Sequence, residues 1–305
     1  MGSQYTMPTI PQNQIDLFIA SATDASPKHQ IELMSRNWFS LSKQKRIEPI
    51  KHIFGSNSVT ITADKRFGLA NIWDNDILIF IAAQYMKSMN EHSNDPSYTP
   101  GRTFQFSGYE YFSFIGKQRY GGKGYKDLWN GLQRLHHTFV ETNLNHGEEE
   151  KTHSFNWITD IKQMKENGRH RGYEIKIADW LYDAVVGRRL VLTLDADYFK
   201  IVGGLERFLY LFARKTAGYQ QGGWSEGLKS IYGKSGTRMS YSEFSRKIRT
   251  IMKNNSILGY DIEPVEYQTE KGIHFIRDSQ FVRMVSEGRK TKGANKWRKI
   301  IKTKE

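Results

Sequence analysis

The order of local signals over residues 71–158 constrains the fold more than any other feature of the chain. Residues 73–91 have helical spacing, with Asn71 before them as a candidate cap and Ile77, Phe80, Ile81, Gln84 and Tyr85 recurring on one side. A turn region at 96–101 precedes a short strand, Thr103–Phe106. Ser107 with Glu110 three residues later is a capping-box pattern, which starts a second helix that Gly116 ends. Residues 117–124 are glycine-rich and basic, and a third helix follows over about 125–137. Residues 138–144 and 154–158 alternate like strands around the charged loop 145–151. Helix, strand, helix, turn, helix and hairpin is the winged-helix order. In it the second helix of the helix-turn-helix enters a major groove, and the hairpin is the wing.

The same order recurs downstream. Residues 204–217 read as a helix, Trp224 and its neighbours as a short strand, and 225–231 as a short helix. A basic turn at 233–239 leads to a long helix over 240–254, and strands at 257–263 and 272–276 flank a wing at 264–271. A linking region at 173–203 carries a strand at 173–177, a helix at 179–186 and a strand at 191–194. No repeat is visible in the letters themselves, so the duplication rests on pattern. The expected fold class is α+β, with two tandem winged helix-turn-helix domains at 41–172 and 173–285. A flexible arm, 1–40, precedes them and a basic tail, 286–305, follows.

Charge narrows the partners. A net charge of +13 favours a polyanion, with nucleic acid first and an anionic membrane surface second. No apolar run approaches the roughly 20 residues that cross a bilayer. The first residues lack the basic-then-apolar pattern of a signal peptide, so a cytoplasmic location is expected. The chain has no cysteine, which excludes disulfides, thiol catalysis and cysteine–zinc sites.

Two helices carry polar stripes opposite apolar ones. In the helix after Gly124, Leu128, Leu132 and Leu135 make the apolar face, while Lys126, Asn130, Arg134 and His137 share another and Lys123 stands just before. In the helix after Ser240, Phe244, Ile248, Ile251 and Met252 form the inner face, and Ser242, Arg246, Arg249 and Lys253 the outer one. Lys234, Thr237 and Arg238 lie in the turn before it. Lysines bind phosphate, and Asn and Arg read base edges. Lys123, Lys126, Asn130, Arg134, Lys234, Thr237, Arg238, Ser242, Arg246, Arg249 and Lys253 are therefore the expected DNA-binding residues.

Catalytic constellations fail on spacing. Gly233-Lys234-Ser235 resembles the end of a phosphate-binding loop, but Leu228 stands where that motif needs glycine. A nickase would need a His-apolar-His pair and a nucleophilic Tyr; His136 and His137 are adjacent and point to different helix faces, and His153 has no second His. Asp74/Asp76 and Asp195/Asp197 are close carboxylate pairs, but Asp74 and Asp195 are expected to cap helices. Neither a metal, a cofactor nor an enzyme activity is expected.

Several segments resemble the plasmid replication initiator protein A family. They are Phe39-Ser-Leu-Ser-Lys-Gln-Lys-Arg-Ile-Glu-Pro-Ile50, Gly68-Leu-Ala-Asn-Ile-Trp-Asp-Asn-Asp-Ile-Leu78, Tyr125-Lys-Asp-Leu-Trp-Asn-Gly-Leu-Gln-Arg-Leu135 with residues 138–143, and Asp179-Trp-Leu-Tyr182. Asp197-Tyr-Phe199 leading into Glu206-Arg-Phe-Leu-Tyr-Leu-Phe-Ala-Arg-Lys-Thr-Ala-Gly218 completes the set, and the likeness covers roughly residues 14–265. Thr216 stands where members often have His. The resemblance implies an initiator that binds repeated sites, expected as direct repeats, in double-stranded origin DNA, helps open the origin and brings in the host replicative helicase. The wider class of repeat-binding initiators often pairs a repressive self-dimer with an active monomer. Gln14-Ile-Asp-Leu-Phe18 resembles the bacterial sliding-clamp pentapeptide, with Gln14 orienting and Leu17 and Phe18 entering an apolar pocket; packing of this island on the core is the other reading. A winged-helix transcriptional repressor is the alternative function, and an origin-nicking enzyme a more distant one.

Overall fold

The computed structural model describes residues 17–21, 25–144, 151–220 and 222–278. These form two compact units, one comprising residues up to Leu33 with Trp38–Phe199, the other Met34–Asn37 with the chain from Lys200 onward. The elements before Lys200 run β1 (Leu17–Ile19), β2 (Lys28–Gln30), α1 (Glu32–Ser35), β3 (Ile50–Phe54), β4 (Asn57–Ala63) and α2 (Asn75–Glu91). They continue through β5 (Thr103–Phe106), α3 (Gly108–Phe114), α4 (Gly122–His136), β6 (Thr138–Thr142), β7 (His153–Asn156), β8 (Ile158–Glu166) and β9 (Arg169–Ile177). Last come α5 (Asp179–Tyr182), a π-helical turn at Asp183–Gly187 and β10 (Val191–Thr193).

Helix α2 is the centre of the first unit. Every residue from Asn75 to Met86 is buried, because its sequence is apolar on nearly all sides and a helix of that kind has no face to give to water. A four-stranded sheet of order β1-β5-β9-β8 packs on it, and Phe80 meets Phe104, Phe106 and Tyr111 edge-on. A second sheet runs β3-β4-β6-β7. Trp157, fully buried between β7 and β8 and packed on Trp38, Phe39 and Phe155, marks where the chain leaves one sheet for the other.

The second unit holds α6 (Gly204–Thr216), β11 (Trp224–Gly227), α7 (Leu228–Ser235), α8 (Tyr241–Asn254), β12 (Tyr260–Tyr267) and β13 (Glu270–Arg277), with sheet order β11-β13-β12. Phe212 and Phe275 meet edge-on at 5.7 Å in its core. Both units therefore contain a helix, a strand, two helices and a hairpin. In both, the lone strand pairs with the second hairpin strand: β5 with β9, and β11 with β13.

Several expectations change. The hairpin that pairs with β5 is β8–β9, closed at Asn167-Gly168, whereas the expected wing strands β6 and β7 belong to the sheet of β3 and β4. The expected loop at 145–151 lies outside the described residues except for Lys151. A domain boundary at 172/173 would cut β9 in two; the units divide after Phe199 instead. The wing at 264–271 is not a loop, since β12 and β13 stay paired up to Tyr267 and Glu270. Helix α7 starts and ends later than expected, at Leu228 and Ser235. The described part of the expected arm is built into the fold. β1 pairs in parallel with β5, β2 pairs with β10, and Leu33, Met34, Trp38 and Phe39 are buried. The basic tail lies outside the described residues.

Candidate nucleic-acid interface

Helix α8 presents the clearest candidate surface. Ser240 caps it by accepting a hydrogen bond from the Glu243 amide at 3.2 Å, and Asn255 ends it in a left-handed conformation, φ 45°. Phe244, Ile248 and Ile251 are buried and Met252 is half-buried, so the inner face is as expected. Ser242, Arg246, Arg249 and Lys253 are all exposed on the opposite side. Among the described residues no carboxylate pairs with Arg246, Arg249 or Lys253. Their charge thus remains available to an outside anion.

The turn before α8 is different. Gly236, with φ 56°, ends α7 in the left-handed region that favours glycine. Arg238 is exposed. Lys234, however, is held inside: its Nζ lies 2.6 Å from Glu226 Oε1 and 5.1 Å from the centre of the Phe212 ring. Burial pushes the Glu226 carboxyl up, but hydrogen bonds from Lys234, Ser230 and Trp224 outweigh this and hold it below the usual carboxylate range. Thr237 Oγ1 accepts from the Met239 amide at 3.2 Å. Lys234 is thus a structural part of the last turn of α7, which corrects its expected role.

Helix α4 is only partly free. Ser107 and Glu110 form the expected capping box ahead of α3, and Gly116, φ 70°, closes it. On α4, Lys123, Lys126 and Asn130 are exposed, with Lys123 within 3.4 Å of Asp127. Arg134 is not a reader of outside groups. Its Nε and Nη2 donate to Asp74 Oδ2 and Oδ1, both at 2.7 Å. Burial pushes the Asp74 carboxyl up, with Arg134 and the Asn71 amide pulling it back. Gly131 makes the approach possible, since a Cβ there would lie 2.9 Å from Asp74 Oδ1. Asp74 therefore does not cap α2; Asn71 Oδ1 instead accepts from the Trp73 and Asp74 amides one turn earlier. Asp195 does start a turn, accepting from the Asp197 amide at 2.8 Å. No group of His, Asp and Glu suited to a metal ion occurs among the described residues.

The pentapeptide reading of residues 14–18 is overturned where it can be seen. Phe18 is 9% exposed and wedged between Tyr85 and Phe104, at 5.0 and 5.2 Å between ring centres. Its ring already fills the core, so it has none to offer a clamp pocket. Gln14 lies outside the described residues. The hairpin β8–β9 is the feature that sequence reasoning missed. Its marker is Asn167-Gly168, both at positive φ (50° and 75°), the strongest short hairpin signal.

Three likenesses to known proteins bear on this geometry. Residues 28–262 match the model of the family described as Replication initiator protein A. A putative replication protein of Wigglesworthia glossinidia brevipalpis is 30% identical over 205 residues, covering 66% of this chain and 71% of that protein. Crystal structures of domains 2 and 3 of RctB share the fold. One has a TM-score of 0.56 at 13% identity, covering 83% of this chain and 98% of that one. A second has 0.50 at 14%, covering 80% and 97%. No helix among the described residues is long and apolar enough to cross a membrane.

Proposed function

Since the chain belongs to the replication initiator protein A family, we propose that it binds repeated sites in the replication origin of a plasmid or related mobile element and starts replication there. It does so through two winged helix-turn-helix modules. The first comprises α2, β5, α3 and α4 with β8–β9 as its wing; the second comprises α6, β11, α7 and α8 with β12–β13 as its wing. The matching strand order of β5-β9-β8 and β11-β13-β12 supports this duplication. Helix α8 reads the sequence, and Lys123, Lys126 and Asn130 of α4 hold phosphates and register. By likeness to repeat-binding initiators, the bound protein then melts neighbouring A·T-rich DNA and brings in the host replicative helicase, while a self-dimer is the repressive form.

The observation that carries the proposal is the outer face of α8, where Arg246, Arg249 and Lys253 are exposed opposite a buried apolar face. A helix of that kind at the second position of a helix-turn-helix suits a major groove. No chemical step on DNA enters the proposal. His136 donates from Nδ1 to Ile158 O at 2.8 Å and His137 stacks on Phe67 at 4.0 Å, so both histidines serve packing. Footprinting on the DNA flanking the gene is the test. Protection of direct repeats beside an A·T-rich stretch, and loss of the replicon when the gene is deleted, is expected. A repressor alone would protect its promoter and leave the replicon stable. A metal-dependent nick in supercoiled origin DNA would replace the proposal with an enzyme.

A further inference from the structure

A cleft of about 520 Å³ opens in the first unit between α4 and the β8–β9 hairpin. Its walls are unusually rich in ring faces. Trp129 stacks on Tyr173 with ring centres 6.0 Å apart, His170 lies 4.7 Å from Tyr173, and Tyr125 meets His170 edge-on at 5.9 Å. Tyr109, 56% exposed, stands at the rim. Burial, helped by Lys165, pushes His170 below the usual imidazole range, so at neutral pH its ring is an uncharged surface. Lys126 and Arg171 add positive charge, and no carboxylate is among the described lining residues. Arg171 does pair with Glu166 at 2.6 Å, but both are 61% exposed, and such a pair is weak enough to exchange for a phosphate.

Two glycines and a bulge shape the walls of the cleft. Gly108 has no side chain where a Cβ would meet Tyr125 Cε1 at 2.4 Å, so the tyrosine ring lies against the start of α3. The β8–β9 register shifts between Met164 and Lys165, leaving Arg171 as the extra residue of a bulge. Gly172 beside it lets β9 approach β5, because a Cβ there would fall 2.5 Å from Phe106 O.

Duplex DNA shows only base edges in its grooves. Ring faces rimmed by cations match a base that has left the stack, with its phosphate outside. We propose that this cleft binds single-stranded DNA, stacking an unpaired base among Tyr109, Tyr125 and Trp129 with Lys126 and Arg171 on the flanking phosphates. The inference rests on the origin-binding reading and extends it: the protein would hold one strand of the DNA that it has opened.

The test uses the full chain and two labelled probes, an oligothymidylate and the duplex repeat, followed by fluorescence anisotropy. Tyr109→Ala and Trp129→Ala should each weaken oligothymidylate binding roughly 5- to 150-fold, the span of one lost base–ring stack. Trp129 also packs on Tyr173; Trp129→Phe should therefore restore binding, and Tyr109→Ala reads the cleft with the core untouched. Arg171→Ala should weaken the same probe and reduce its salt dependence. Duplex affinity should hold in Tyr109→Ala. Unchanged oligothymidylate affinity in both Tyr109→Ala and Arg171→Ala overturns the inference. So does a wild-type chain that binds the duplex and not the oligothymidylate, or one that takes free thymidine monophosphate as tightly as the oligomer. Failure to bind either probe would overturn the origin-binding reading as well.

Discussion

Arg134 of α4 clamps Asp74, just ahead of α2, through two parallel hydrogen bonds of 2.7 Å. The pair joins the helix carrying Lys126 and Asn130 to the central helix of its unit. Asp74 side-chain exposure is 7% and that of Arg134 25%, so this is an anchored contact rather than a surface pair. Arg134→Ala strands a buried carboxylate, and should lower the unfolding free energy by about 3 kcal/mol in a urea titration. Replacing both partners, as Arg134→Met with Asp74→Leu, should recover most of that loss. Lys126→Ala, on the exposed face, should leave the urea midpoint where it was. A DNA-contacting Arg134 with no structural part would give the opposite pattern.

His29 makes stability depend on pH. Its ring is fully buried, Nδ1 lies 2.9 Å from Gln30 O, and Nε2 lies 2.7 Å from the Asn75 side-chain amide nitrogen. Donation from Nδ1 to the carbonyl and acceptance at Nε2 from the Asn75 amide require the neutral ring. Burial lowers its pKa from 6.5 to about 4, against the smaller pull of the Gln30 carbonyl. Between those values the unfolded chain holds a proton that the folded one excludes, so stability rises with pH there. The contribution is complete above about pH 6.5 and lost as the pH falls towards 4. The loss should reach roughly 3 kcal/mol. Urea unfolding across this range should show the slope in the wild type and not in His29→Gln; equal slopes would remove the assignment.

Phe18 is a core residue. Phe18→Ala removes a ring stacked on Phe104 and set edge-on to Tyr85, and should cost about 3 kcal/mol in urea unfolding, whereas Phe18→Leu should cost much less. An alanine variant as stable as the wild type would mean that β1 is not held as described.

What the sequence made legible was local. The capping box at Ser107 and Glu110 and the two faces of α8 are set by neighbours within a turn or two, and both stand as read. What it hid depends on distant partners. Arg134 has the same helical spacing as Asn130, and only Asp74, sixty residues earlier, removes it from the outer face. Lys234 likewise looks like any basic turn residue until Glu226 is seen beside it. β8 escaped because most of Ile158–Glu166 faces water, so its residues show little alternation of apolar and polar. The strands β6 and β7 were visible as strands, but pairing with β4 is a long-range choice that no local pattern records.

Whether the outer face of α8 reads DNA is decided by the affinity of the full chain for its duplex repeat over a range of salt, with Arg246→Ala and Arg249→Ala beside the wild type. Wild-type binding should weaken steeply as salt rises, by about one unit of log–log slope for each phosphate neutralised. Each variant should lose roughly 1–3 kcal/mol where its arginine reads a base, or about one unit of salt slope where it holds a phosphate. Affinity and salt slope unchanged in both variants would contradict the account.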